Sequence, residues 1–180
     1  SVGIFAANGA GTQDAPNNPQ GEVSLKQNAK ITVSGTNAIA VVVDGRNFDL
    51  SGKAINAPTK KTTVISEAIL DSNIAFNKGA IGYKLVHSGT LEHKGSLDFT
   101  QNSNGRATGI YIEGGILNNN GTVAVDGVGV DIYGKNSIVE NIGSVLATDG
   151  IAAIRLNKDS TLTIRGSDTN KLIQGEKNAD

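Results

Sequence analysis

A short glycine-centred text recurs along this chain, and a recurrence of that kind decides fold class before any other feature is weighed. Aligned on Gly79, Gly95, Gly121 and Gly143, the local sequences read NKGAI, HKGSL, NNGTV and NIGSV. Two residues after the glycine stand Ile81, Leu97, Val123 and Val145; four residues before it stand Ala75, Leu91, Leu117 and Val139. All eight are apolar. The pattern thins toward Gly21, Gly52 and Gly166. From Gly95 to Gly166 the intervals are 26, 22 and 23 residues, which suits a coil of short strands and not a heptad or helical-hairpin repeat.

Within each repeat the apolar period is two. Val123 and Val125 alternate with Thr122, Ala124 and Asp126, while Val128, Val130 and Ile132 alternate with Gly129 and Asp131, as in strands with one face against a core. A second strand recurs as GYKL at 82–85, GIYI at 109–112, GVDI at 129–132 and AIRL at 153–156. Asn-Gly and Asp-Gly corners at Asn104, Asn120, Asp44, Asp126 and Asp149 separate the strands. Such dipeptides also make hairpin turns. Because the same strands recur in the same sense, however, like pairs with like and the sheets are parallel. The expected fold is therefore all-β, a right-handed parallel β-helix of about six to seven coils.

Stacking at about 4.8 Å per coil gives the corner residues a role. The repeat glycine supplies a positive φ. Asn77, His93, Asn119 and Asn141, two positions earlier, form a ladder of stacked amides in which His93 takes one place. The whole chain reads as one β-helix segment. Residues 56–73 form either an inserted loop or a degenerate coil on Thr63, Ile65 and Ala68 to Leu70, and 167–180 form an irregular C-terminal cover.

Function classes narrow by exclusion. The chain lacks Cys, so thiolate metal sites, disulfides and Cys nucleophiles are out. Sixteen basic against 17 acidic residues give no basic excess for nucleic acid. No apolar run approaches the roughly 18 residues of a membrane span. The absence of Met reads as a segment of a longer protein. A β-helix glycan lyase or hydrolase needs carboxylates stacked on one strand face; on the Gly79 alignment the residues three past the glycine are Gly82, Asp98, Ala124 and Leu146, so the acids do not stack. Asp126 and Asp149 suit a weak Ca²⁺ site, though turn chemistry alone accounts for them. No catalytic residue, cofactor site or metal site is assigned. Lys60 and Lys61 in the unplaced segment, and Arg106 in the long corner from Gln101 to Thr108, are the candidate ligand-binding residues, because excursions from a rigid coil are where ligands meet such scaffolds.

The strings GIYIEGGILNNNGTVAVDG at 109–127 and GVGVDIYGKNSIVENIGSVLATDGIAAI at 127–154 resemble the passenger repeats of Gram-negative type V autotransporters, most of all those of the large fusobacterial adhesins. The likeness covers about Ile74 to Gly166 well and Ser1 to Gly52 loosely. It implies a non-enzymatic segment at the bacterial cell surface, held by an outer-membrane barrel outside this chain, that attaches to a host or bacterial surface protein or glycan; the unpaired strand edges at its two ends lead separately to the expectation of a monomer at low concentration that associates end to end as concentration rises. Three alternatives stand beside it: a stalk that only spaces a distal tip, a polysaccharide-degrading β-helix enzyme, and a trimeric phage tail fibre.

Overall fold

The computed structural model describes residues 1–9, 22–48, 51–55, 62–72, 79–100, 106–148, 151–157, 159–162 and 173–175. Eighteen strands and no helix are found among them. Sheet A stacks β1 (Val2–Gly9), β4 (Ile39–Phe48), β8 (Ile81–Val86), β11 (Thr108–Glu113), β14 (Val128–Tyr133) and β17 (Ala152–Leu156). Sheet B stacks β2 (Glu22–Leu25), β6 (Thr63–Ser66), β9 (Thr90–His93), β12 (Ile116–Asn119) and β15 (Ile138–Asn141). Sheet C stacks β3 (Lys30–Val33), β7 (Ile69–Ser72), β10 (Ser96–Phe99), β13 (Thr122–Val125), β16 (Ser144–Ala147) and β18 (Ile173–Gly175). The chain visits A, B and C in turn and then repeats, which makes a three-sided parallel β-helix. Five full coils are followed by a sixth represented by β17 and β18. One antiparallel pair occurs among the described residues, between the end of β4 and β5 (Ala54–Ile55).

Like residues do pair with like. Tyr83, Ile110, Val130 and Ile154 are successive partners in sheet A, so the four recurring strands lie one above another. Leu91, Leu117 and Val139 align in sheet B, and Leu97, Val123 and Val145 in sheet C. Each of these last six is buried, and with Val125, Val130 and Ile132 they belong to one continuous core. Full burial of each such side chain contributes about 1.5–3 kcal/mol.

The Gly79 phase of the repeat needs correction. Ile81 begins a sheet A strand, and the partner of Leu97 in the coil below is Leu70. Ala68, not Gly79, therefore occupies the corner beneath Gly95: the Ser96 N–H donates to the Ala68 carbonyl just as the Thr122 N–H donates to that of Gly95. Positive φ also explains only part of the glycine pattern. It holds at Gly79 and Gly143, whereas Gly95 and Gly121 are needed for close approach. A Cβ on Gly95 would sit 2.1 Å from the Ala68 carbonyl oxygen, and one on Gly121 would sit 2.3 Å from that of Gly95.

Two further expectations shift. Asp44-Gly45 is no corner: it lies inside the ten-residue strand β4. The amide contact between coils runs from Asn141 Nδ2 to Asn120 Oδ1, one residue later than expected, while Asn119 donates to the Ile142 carbonyl at 2.6 Å and accepts from the Gly121 N–H at 3.0 Å. Asn77, Asn104 and Asp149 lie outside the described residues. Within 56–73, residues 56–61 and 73 also lie outside them, and β6 and β7 occupy the rest. Of 167–180, only β18 is described, paired with β16.

Candidate functional site

The outward face of sheet A carries charged and aromatic groups. Residues alternate in and out along each strand, and outward neighbours stack across coils as Val42, Lys84, Tyr111, Asp131 and Arg155. In a chain with only four Phe and three Tyr, Phe5, Phe48, Tyr111 and Tyr133 all serve this one sheet. The rings of Phe5 and Phe48 meet edge-on at 5.9 Å, and those of Tyr111 and Tyr133 lie 5.0 Å apart.

A trough of about 630 Å³ runs over this face from Val2 and Phe5 in the first coil to Lys135 and Asn136 in the fifth. Val42 and Val86 contribute an apolar floor; Asp44, Arg46, Lys84, His87 and Glu113 contribute its charged and polar groups. Turns at Gly114 and Gly134, both with positive φ, form the side at the corner toward sheet B.

Asp44 organises one end. Its side chain is almost wholly buried, at 2% exposure. Oδ1 accepts from the Arg46 backbone N–H and Nε, each at 3.0 Å, and Oδ2 accepts from Arg46 Nη2 at 2.5 Å. His87 Nδ1, from the turn one coil above, lies 3.2 Å from Oδ1. Burial pushes the Asp44 carboxyl up, but hydrogen bonds from the Arg46 side chain and backbone, with the charges of Arg46 and His87, hold it below the ordinary value. It is therefore a fixed anion that orients Arg46. The guanidinium also lies over the Phe48 ring at 5.2 Å, a cation–π contact that further restricts it. His87 and Ser88 both have left-handed φ, 51° and 65°, a strained pair for residues with side chains. Gly45 permits this turn to pack on β4, since a Cβ there would lie 2.0 Å from the His87 carbonyl oxygen.

Farther along, Lys84 Nζ sits 5.2 Å over the Tyr111 ring, and the Tyr111 hydroxyl donates to Glu113 Oε2 at 3.2 Å. Desolvation, followed by the Glu113 charge, pushes the Tyr111 phenol up to about 12. Beside these, Asp131 is buried and bound by Arg155 through Nε at 2.9 Å and Nη2 at 2.5 Å, with Asn157 Nδ2 at 2.7 Å.

The residues nominated from sequence are elsewhere. Lys60 and Lys61 lie outside the described residues. Arg106 is exposed ahead of β11 and does not line the trough. His93 is structural but closes strand β9 rather than standing in a turn, in register with Ser66 and Asn119: it is fully buried, 5.3 Å from the Tyr83 ring, with Nε2 donating to the Thr122 carbonyl at 3.2 Å. One exclusion made from sequence changes. In the true register Asp98 neighbours Asp71, not Gly82, so two acids do stack on sheet C. Asp71 is paired with Lys30 at 2.8 Å, and Asp98 accepts from the Thr100 hydroxyl at 2.6 Å. Among the described residues no three His, Asp or Glu side chains converge as a metal site.

No single stretch of sequence announces the trough, because Asp44 and His87 are 43 residues apart. The available signal was the GYKL to AIRL alignment, which stacks Lys84, Tyr111, Asp131 and Arg155 at one position. No family model, curated protein or solved structure matches the chain.

Proposed function

We propose that this chain is a non-enzymatic binding segment of a bacterial surface adhesin, displayed extracellularly as part of an autotransporter passenger and attaching to a surface component of host cells or other bacteria. The observation that carries this reading is the trough on sheet A, where Asp44, Arg46, Lys84 and Glu113 are held on three successive strands of a rigid solenoid. A plain spacer gains nothing from a buried carboxylate whose partners hold a guanidinium in place. Attachment does, because groups that are already ordered lose little entropy when a ligand arrives. The passenger-like text at 109–154 supports the surface location.

The test is attachment by beads coated with the purified chain to epithelial cells and to co-aggregating bacteria. Wild-type beads should attach, and beads carrying Lys84→Glu should attach several-fold less. Equal attachment by bare beads would reject the reading and leave the spacer.

A second reading, glycan cleavage, draws on the in-register pair Asp71 and Asp98. Cleavage by two carboxyls asks for one general acid with a raised pKa. Burial raises the Asp71 carboxyl, but Lys30 and Thr32 outweigh it and hold the group below its ordinary value. Reducing ends released from a polysaccharide panel by the wild type and not by Asp98→Asn would establish cleavage.

A further inference from the structure

We infer that the sheet A trough recognises a linear oligosaccharide bearing carboxylated sugars; this deepens, and rests on, the attachment reading above. Arg46, Lys84 and Lys135 line the trough with two acids, Asp44 and Glu113. Asp44 is buried and consumed by Arg46 and His87, and Glu113 accepts from Tyr111. Lys84 and Lys135 have no ion-pair partner among the described residues. Three cations against two carboxylates leave the trough with a formal excess of one positive charge, carried by Lys84 and Lys135, in a chain whose net charge is −1, and its complement is an anion.

Arg46, Lys84 and Lys135 belong to the second, third and fifth coils, which step by about 4.8 Å. They do not form one column, since Lys84 is in register with Val42, four residues before Arg46 on β4; cations spread over several coils in this way address more than one negative charge on the same ligand. Arg46 suits a carboxylate in particular, because Asp44 takes the Nε and Nη2 side of its fork and the Phe48 ring limits its movement. Its Nη1 edge remains for a planar anion.

The inner strands of sheet A, β4, β8, β11 and β14, are hydrogen-bonded on both sides, so an extended peptide lying across them finds no strand edge to pair with, the open edge of β1 being confined to the end of the trough beside Val2 and Phe5. A sugar chain has no such requirement: its C–H faces can rest on Val42 and Val86 while its hydroxyls stay in water. A volume of about 630 Å³ also falls within the roughly 300–1,000 Å³ of clefts that hold small ligands, which suits a few sugar rings better than a folded protein surface.

The experiment is calorimetric titration of the full chain, at low and at physiological salt, with three probes: a hexamer of galacturonate, a neutral glucose hexamer and hexaglutamate. The galacturonate hexamer should bind in preference to both others and weaken with salt. Lys84→Gln/Lys135→Gln should lose at least tenfold in affinity, whereas Lys26→Gln, an exposed charge in a corner away from sheet A, should match wild type. Thermal melts of the variants guard against misfolding. Equal binding of the neutral hexamer, preference for hexaglutamate, or an unchanged double variant would overturn the inference. Bead attachment is measured on the same proteins. Attachment by wild type without galacturonate binding rejects the sugar assignment alone; its absence in wild type rejects the attachment reading as well.

Discussion

The hydroxyl of Tyr83 lies 2.6 Å from the hydroxyl of Ser66 inside the solenoid, joining sheet A to sheet B through a core that is otherwise almost wholly apolar. Both side chains are fully buried, so neither has water as an alternative partner. Tyr83→Phe leaves the Ser66 hydroxyl unpaired and should cost about 1–3 kcal/mol. Adding Ser66→Ala removes the orphan, and the double variant should recover part of that loss. Urea unfolding of the two single variants and the double variant measures the coupling.

His93 makes stability depend on pH. Burial is the main cause that lowers its pKa from 6.5 to about 4, with the Thr122 carbonyl opposing. The folded state therefore resists protonation that the unfolded chain accepts. Above about pH 6.5 both states are neutral and nothing is lost. Between about 6.5 and 4 only the unfolded state gains the proton, and stability falls as pH falls. From pH 7.5 to 4.5 the loss should be about 2–3 kcal/mol, and His93→Asn, which copies Asn119 one coil above, should abolish that component. Asp126 works oppositely. Burial raises its carboxyl to about 6, against hydrogen bonds that lower it, so its contribution falls as pH rises from about 4 to 6. Asp126→Asn isolates it. Chemical denaturation of wild type and both variants across this range checks both signs.

Glycines divide into two kinds by what surrounds them. Gly121 abuts the Gly95 backbone, so Gly121→Ala must push neighbouring coils apart and should cost about 3 kcal/mol or more, as overpacking does. Gly114 has φ of +70° with nothing within 4 Å of an added Cβ. Gly114→Ala should cost only the left-handed penalty, about 1 kcal/mol. Similar melting temperatures for the two variants would contradict the close stacking at Gly121.

On the outer face of sheet A, Arg155→Ala leaves the buried carboxylate of Asp131 with Asn157 as its side-chain partner among the described residues. Breaking a pair buried on both sides costs about 3–5 kcal/mol; with Arg155 itself 37% exposed, the loss here should fall below that range. Asp131→Asn in the same background should restore much of it. Thermal melts of the single and double variants test this.

Much of the architecture was legible because stacking copies residues. The GYKL to AIRL strands and the Leu91 and Leu97 ladders repeat their side-chain types where the coils repeat. The Gly79 phase misled because NKGAI imitates the corner text while introducing a sheet A strand, and because coil length varies: partners in sheet A are 42 residues apart from Ile39 to Ile81 but 20 from Thr108 to Val128. That error hid the Asp71 and Asp98 neighbours. The trough was illegible for another reason. Asp44 reads as a turn residue beside glycine, and only the folded coil shows that Gly45 serves the approach of the His87 turn.

The register of the coils underlies every assignment above, and a chain without Cys allows it to be tested chemically. Asp71 and Asp98 are in-register neighbours on adjacent strands, about 4.8 Å apart by sheet geometry and thus within disulfide reach. In Asp71→Cys/Asp98→Cys, oxidation followed by non-reducing electrophoresis and peptide mass mapping should give an intramolecular cross-link in nearly all folded monomers. A double variant that folds yet stays reduced, while Gly82→Cys/Asp98→Cys cross-links, would contradict the register and the trough built on it.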